Sequence, residues 1–173
     1  MEKILIVIDM QNDFITGPLG TPEAAAIVPK VIKKVQEYAA AGNRIIYTRD
    51  THSLMGYVTT QEGRILPILH GIEGTEGWQL VKNLPTTDYT IINKDSFGWR
   101  GWNTYYDFNS SRIEIIGVCT DICVVSNALI LKAMFPEAII TVDASCCAGT
   151  TPERHKAALE TMKSCQIYVE GDE

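Results

Sequence analysis

The chain has 173 residues, of which 46% are hydrophobic and 21% charged, and carries a net charge of -6 at pH 7. A chain of this length buries roughly 70% of the surface its unfolded form exposes, so it needs no disulfide framework to hold a core. The acidic balance argues against a nucleic-acid partner, whose footprint is a basic face, and no apolar run is long enough for a membrane span.

No repeat, low-complexity tract or linker-like shift divides the sequence, so residues 1–173 read as one domain. Residues 3–9 (KILIVID) are a nearly continuous apolar run ending in an acid, the pattern of a strand buried on both faces. The interruption at Asp9 comes too early for a signal peptide. Pro29 suits the first turn of a helix. Around it, Val28, Val31, Ile32, Val35 and Tyr38 follow a helical stripe that Gly42 stops. Residues 44–48 (RIIYT) form the next strand. Residues 49–87 have weak periodicity and many Gly, Thr and Pro, and read as a functional excursion of loops and short helical turns.

Strand character returns at residues 89–93 and 112–118. A helix over residues 121–134 is apolar nearly all round and stops at Pro136. Such a helix is covered on both sides, by the core or by a second subunit, so a homo-oligomer is expected. Residues 138–142 are a strand, Thr151 caps a last helix with Pro152 at its first position, and residues 166–169 close the chain as a strand. Strands alternating with helices predict a three-layer α/β/α domain around a mainly parallel, doubly wound sheet of about six strands.

Five cysteines (Cys119, Cys123, Cys146, Cys147 and Cys165) all lie in the last third. An odd, clustered count is not a secreted disulfide framework, so a cytoplasmic protein with free thiols is expected. Ligands of open α/β sheets bind at the carboxyl ends of strands. Asp9, Asp50, Lys94 and the 119–123 segment each follow one predicted strand. An Asp there is ordinarily a cap or turn former; four reactive positions converging at one sheet edge point to chemistry.

Thr120 or Asp121 is a suitable N-cap, which places Cys123 in the first turn of a helix. The dipole and free N–H groups there favour a thiolate, with a pKa below the usual value of about 8.5, and can cradle an oxyanion. A nucleophilic cysteine needs a base. His52 and His70 lie in the excursion and His155 reads as a solvated residue of the last helix, which leaves Asp9 and Lys94. A desolvated carboxylate has a raised pKa and accepts a thiol proton, and a nearby ammonium stabilises both anions. A buried Asp–Lys pair with a purely structural role fits the same spacing.

DMQNDF at residues 9–14, Lys94 at the end of YTIINK, and GVCTDICV at residues 117–124 resemble the three signatures of the isochorismatase-like cysteine hydrolases, above all the nicotinamidase/pyrazinamidase branch. The resemblance implies that family's fold and an Asp9–Lys94–Cys123 triad. Cys123 is then the nucleophile on a carboxamide carbon, Asp9 the proton carrier, and Lys94 the residue that holds the two in register. It also implies a cis Val118–Cys119 peptide, an oxyanion hole from the backbone N–H groups of Cys119 and Cys123, and an inert Cys119 thiol.

Asp50-Thr51-His52 with His70 resembles the D-x-H…H metal motif of the same branch, and Glu62 resembles the glutamate of members that lack a further histidine. One or two carboxylates with two imidazoles suit a divalent transition metal, Zn²⁺, Mn²⁺ or Fe²⁺, which the resemblance places against a pyridine nitrogen. A structural turn with hydrogen-bonded histidines is the alternative. Residues 70–78 (HGIEGTEGW) resemble the family's H-C-x-x-G-T-x-G segment with Gly71 in place of the cysteine. Pro67 stands where many pyrazinamidases carry an aromatic, leaving Phe14, with Trp99 or Trp102, to stack on a planar ring. Trp beside Gly is also an ordinary packing corner.

The implied activity is deamidation of a small carboxamide, nicotinamide first. Another small amide or ureide is the alternative, followed by a catalytically silent binding homologue. A response-regulator-like domain has no use for Cys123 and offers adjacent acids where this chain has Met10 and Gln11. Isochorismatase activity itself, an ether hydrolysis, needs no nucleophilic cysteine. No phosphate loop or dinucleotide fingerprint occurs, so no nucleotide cofactor is expected.

Overall fold

Six strands form one parallel sheet in the computed structural model, which describes residues 1–85 and 89–172. In chain order the elements are β1 (Glu2–Ile8), α1 (Asn12–Ile15), α2 (Pro22–Ala40), β2 (Arg44–Asp50), α3 (Leu54–Tyr57), α4 (Gln61–Ile65) and β3 (Tyr89–Lys94). Then come α5 (Trp102–Tyr105), β4 (Ser111–Val118), a π-helical turn (Thr120–Val124), α6 (Val125–Met134), β5 (Ile139–Ala148), α7 (Pro152–Ser164) and β6 (Tyr168–Glu170). The spatial order is β3-β2-β1-β4-β5-β6, and every pairing is parallel. The chain builds outward from β1 to β3, then returns to the other side of β1. The β1/β4 boundary is therefore a topological switch point, where such sheets open a crevice beyond their carboxyl ends.

The hydrophobic run of β1 is explained by its central place. Ile4, Leu5, Ile6, Val7 and Ile8 are all fully buried, and burying each such side chain contributes roughly 1.5–3 kcal/mol. Alternate residues serve opposite layers, as the pleat requires. Leu5 and Val7 pack with Ala24, Ile27, Val31 and Val35 of α2. Ile4, Ile6 and Ile8 pack in the other layer with Ala128 and Leu131 of α6 and Leu159 and Met162 of α7. This is the expected three-layer, doubly wound arrangement.

Several boundaries differ from the sequence reading. The first long helix begins at Pro22, capped by the Thr21 hydroxyl, so Pro29 is interior to α2 rather than in its first turn. Thr21-Pro22 is the stronger start signal, and Pro29 merely removes one donor from a helix held by its buried face. β5 runs on to Ala148, well past the predicted end. The excursion contains α3 and α4, as predicted; its last two residues, Thr86 and Thr87, lie outside the described residues. On α6 the fully buried residues are Asn127, Ala128 and Leu131, while Val125, Leu129, Ile130 and Met134 are partly buried against the same core. Among the described residues no helix is long and apolar enough to cross a membrane.

Candidate active site

Asp9 directly follows β1 at the switch point with φ +48°, a left-handed conformation that Asp tolerates better than most residues. Across the boundary Gly117, φ +119°, pairs with Ile8 and lies against its backbone where no Cβ fits. Oδ1 of Asp9 accepts a hydrogen bond from the Thr48 hydroxyl on β2 at 2.6 Å. Oδ2 lies 2.6 Å from Nζ of Lys94, in an ionic contact that does not complete a well-angled hydrogen bond.

Lys94 ends β3 and is fully enclosed. Its ammonium is 3.5 Å from Sγ of Cys123 and 3.4 Å from Oδ1 of Asp50. The Asp9 carboxylate bears electrostatically on the Cys123 thiol from across the Lys94 ammonium. The structure thus gathers Asp9 and Cys123 around the Lys94 ammonium, with Cys123 only 8% exposed.

The electrostatics correct one expectation. Burial pushes the Cys123 thiol well above its ordinary value; the Lys94 charge opposes this, and Asp9 and Asp50 reinforce it. The helix-start dipole does not win against this desolvation, although the cysteine sits in a π-turn whose N-cap position, Cys119, supplies no side-chain cap. Thr120 and Asp121 are engaged elsewhere: Thr120 with His155 at 2.8 Å, Asp121 with the amide and hydroxyl of Thr150. Burial likewise raises Asp9, against the pull of Lys94. For Lys94 the order reverses: burial favours loss of its proton, but Asp9, Cys123 and Asp50 together raise its pKa. The buried cation is the fixed charge of the site, and the neutral thiol its resting form.

The Val118–Cys119 peptide is cis, as the resemblance implied. The Cys119 carbonyl accepts the N–H groups of Ile122 and Val124, both at 3.1 Å. Burial raises the Cys119 thiol to about 12, which fits an unreactive side chain.

Beside the triad lies a second cluster. One ligand atom from each of Asp50, His52, Glu62 and His70 falls within 4.8 Å of the others. His52 Nε2 is 2.8 Å from Asp50 Oδ2, and His70 Nε2 is 3.6 Å from the same oxygen and 3.4 Å from Glu62 Oε1. The Ile68 carbonyl, 2.8 Å from Nδ1 of His70, holds the ring so that Nε2 faces the cluster. Ligands of a common ion at about 2.0–2.2 Å lie about 3.4 Å apart in a tetrahedron, so the quartet fits a transition metal.

Local pairing assembles the quartet. Residues 52 and 72 form a β-bridge, with the His52 N–H donating to Gly71 O at 2.8 Å. Gly71 has φ +58° and backs onto the Asp50 carbonyl, and its N–H donates to Asp13 Oδ2 at 2.9 Å. That left-handed turn accounts for glycine where the family pattern has cysteine.

Phe14 packs edge-on to His70 with centroids 5.6 Å apart, at the border of the quartet. Trp99 sits edge-on to Trp102 at 4.9 Å. Trp102 is fully buried in the core, so of the two tryptophans it is the packing residue.

Four contributors escaped the sequence reading. Thr48 fixes Asp9. Gln11 clamps Asp50, accepting its N–H at 2.7 Å and donating to its carbonyl at 2.9 Å. His155 is half-buried against Thr120 rather than solvated. Asn127 is the buried polar residue of an apolar helix, and that contrast was the one signal available for it.

Residues 3–172 match the isochorismatase domain family. The chain belongs to that family. Its fold superposes on the crystal structure of pyrazinamidase of Pyrococcus horikoshii in complex with zinc with a TM-score of 0.85, at 31% identity over 98% of both chains. Among curated proteins it is 24% identical to nicotinamidase of Saccharomyces cerevisiae, over 96% of this chain and 98% of the relative. It is 29% identical to an Arabidopsis thaliana protein named as a probable inactive nicotinamidase, over 94% and 89% respectively.

Proposed function

We propose that the protein is a cysteine-dependent amidohydrolase that converts nicotinamide to nicotinate and ammonia. The observation that carries this reading is the single buried ammonium of Lys94, in contact with Asp9, Cys123 and Asp50 at once. A structural ion pair needs only one of those partners; a nucleophile, its base and a neighbouring ligand cluster need all three. The family relation and the names of the nicotinamidase and pyrazinamidase relatives support the substrate class.

In this reading the Cys123 proton passes to Asp9 as Sγ bonds to the carboxamide carbon. The backbone N–H groups of Cys119 and Cys123 receive the developing oxyanion. The C–N bond then breaks, and the departing nitrogen takes the proton from Asp9 and leaves as ammonia. Asp9 next removes a proton from water as the water oxygen bonds to the thioester carbon. The C–S bond breaks, the sulfur recovers that proton, and the acid leaves. Lys94 stays charged throughout, steadying the carboxylate while the sulfur is anionic. Phe14 and Trp99 are the ring contacts.

Asp50, His52, Glu62 and His70 are the residues that would hold a metal, and zinc in the Pyrococcus relative supports a zinc-type ion. Bound there, a divalent ion supplies a Lewis-acid anchor for a ring nitrogen.

A second reading, another small amide or ureide, draws on Pro67, which removes a stacking ring from the pocket. A panel of nicotinamide, pyrazinamide, benzamide and small ureides, scored for ammonia, separates the two. Preferred turnover of nicotinamide supports the proposal, preferred turnover of a ureide replaces the substrate, and no ammonia from any member overturns both.

A further inference from the structure

Asn127 is fully buried on α6, one turn beyond Cys123. Its amide uses every hydrogen-bonding position it has. Oδ1 accepts the Trp99 backbone N–H at 2.9 Å and the Trp102 indole N–H at 3.1 Å. Nδ2 donates to the Phe97 carbonyl at 3.1 Å and to the Cys123 carbonyl at 2.8 Å. Three of these four partners belong to the segment that leaves Lys94, and the fourth is the nucleophile's own backbone. Gly98 completes the contact: a Cβ there would strike Ile130 Cδ1 and press on Ser126. The segment therefore rests directly on the helix that follows Cys123.

The aromatic groups so placed differ in role. Trp102 is enclosed in the core, whereas Phe97 is 44% exposed and Trp99 is half-buried. A segment already tied down at three points loses less ordering entropy when a planar ring packs on its aromatics. An amide with four satisfied bonds is costly to disturb in a buried setting, and it specifies one geometry.

We propose that Asn127 is a positioning residue that docks the 97–102 segment against α6, so that Phe97 and Trp99 form a fixed wall beside Cys123 for a ring-bearing amide. This rests on Cys123 being the nucleophile of the proposed amidase, and it names the class of substrate that the site prefers. Asn127 touches neither substrate nor reacting atoms; it acts through the wall.

The test compares two thiol reagents at Cys123, read by mass spectrometry of its peptide: iodoacetamide, which has no ring, and its N-phenyl analogue, which has one. Wild type is expected to favour the phenyl reagent. Asn127→Ala is expected to lower the phenyl-to-plain rate ratio about fivefold, the loss of one aromatic contact, while the iodoacetamide rate stays within about twofold. Gly98→Ala lifts the same segment without touching Asn127 and is expected to lower the ratio likewise, which keeps the test available should Asn127→Ala fail to fold. An unchanged ratio in the folded variants overturns the proposal. So does an equal loss with both reagents, or a wild type without preference. Ammonia release from nicotinamide by wild type is recorded alongside. Its absence with a preserved ratio pattern overturns the amidase reading and leaves the wall standing.

Discussion

Lys94 and Asp50 meet at 3.4 Å, at the join between two clusters that the sequence places far apart. One carboxylate oxygen of Asp50 faces the ammonium that also holds Asp9 and Cys123; the other faces His52 at 2.8 Å and His70 at 3.6 Å. The two residues are register partners at the ends of adjacent parallel strands. The fold therefore sets the distance between the Lys94 ammonium and the Asp50 carboxylate through backbone pairing. Gln11 reinforces this by bonding both the N–H and the carbonyl of Asp50.

Removing the ammonium should cost both stability and activity. Lys94→Met leaves the Asp9 and Asp50 carboxylates buried with no cation between them, and breaking such a pair costs about 3–5 kcal/mol. Urea denaturation is expected to register that loss. Ammonia release should fall about a hundredfold or more. Unchanged stability would mean that the ion pair is not formed in solution.

The resting thiol gives a pH signature. Burial holds the Cys123 pKa well above that of an ordinary thiol, so the thiolate is a small fraction at neutral pH and grows about tenfold per pH unit until that pKa is passed. Alkylation of the Cys123 peptide by iodoacetamide should therefore keep rising from pH 7 through 9. A rate already level at pH 7 would mean that the Lys94 charge outweighs burial. Cys165, exposed at the surface, provides the internal comparison.

The ligand quartet predicts metal content. Elemental analysis after mild purification should find about one equivalent of a divalent transition metal, and His52→Ala or His70→Ala should strip most of it. Less than about a tenth of an equivalent in wild type would retire the site. Because His70 is anchored through Ile68 and bordered by Phe14 and Tyr57, His70→Ala is also expected to loosen the pocket edge.

What was legible in the sequence was what local physics decides. The doubly buried run of β1, the alternation of strands and helices, and the placing of Asp9, Asp50, Lys94 and the 119–123 segment at strand ends all follow from periodicity and from the switch-point rule. The family signatures singled out Asp9, Lys94 and Cys123, and Asp50, His52, Glu62 and His70, two sets whose members the structure brings close together. What stayed hidden depended on tertiary contact. Pro29 looked like a helix start because the sequence does not reveal that α2 buries Ala24 and Ile27 ahead of it. The Cys123 thiol looked activated because a dipole argument ignores desolvation, which only the packed core imposes. His155 looked solvated because its partner, Thr120, is 35 residues away. Asn127 satisfies partners on a segment that lies distant in sequence, which no window of residues displays.

The most direct test of the account is ammonia release from nicotinamide by Cys123→Ala measured beside Cys119→Ala. The account predicts a loss of about a thousandfold or more in the first variant, where the nucleophile is gone, and retention of most activity in the second, whose thiol takes no part. Full activity in Cys123→Ala would contradict it.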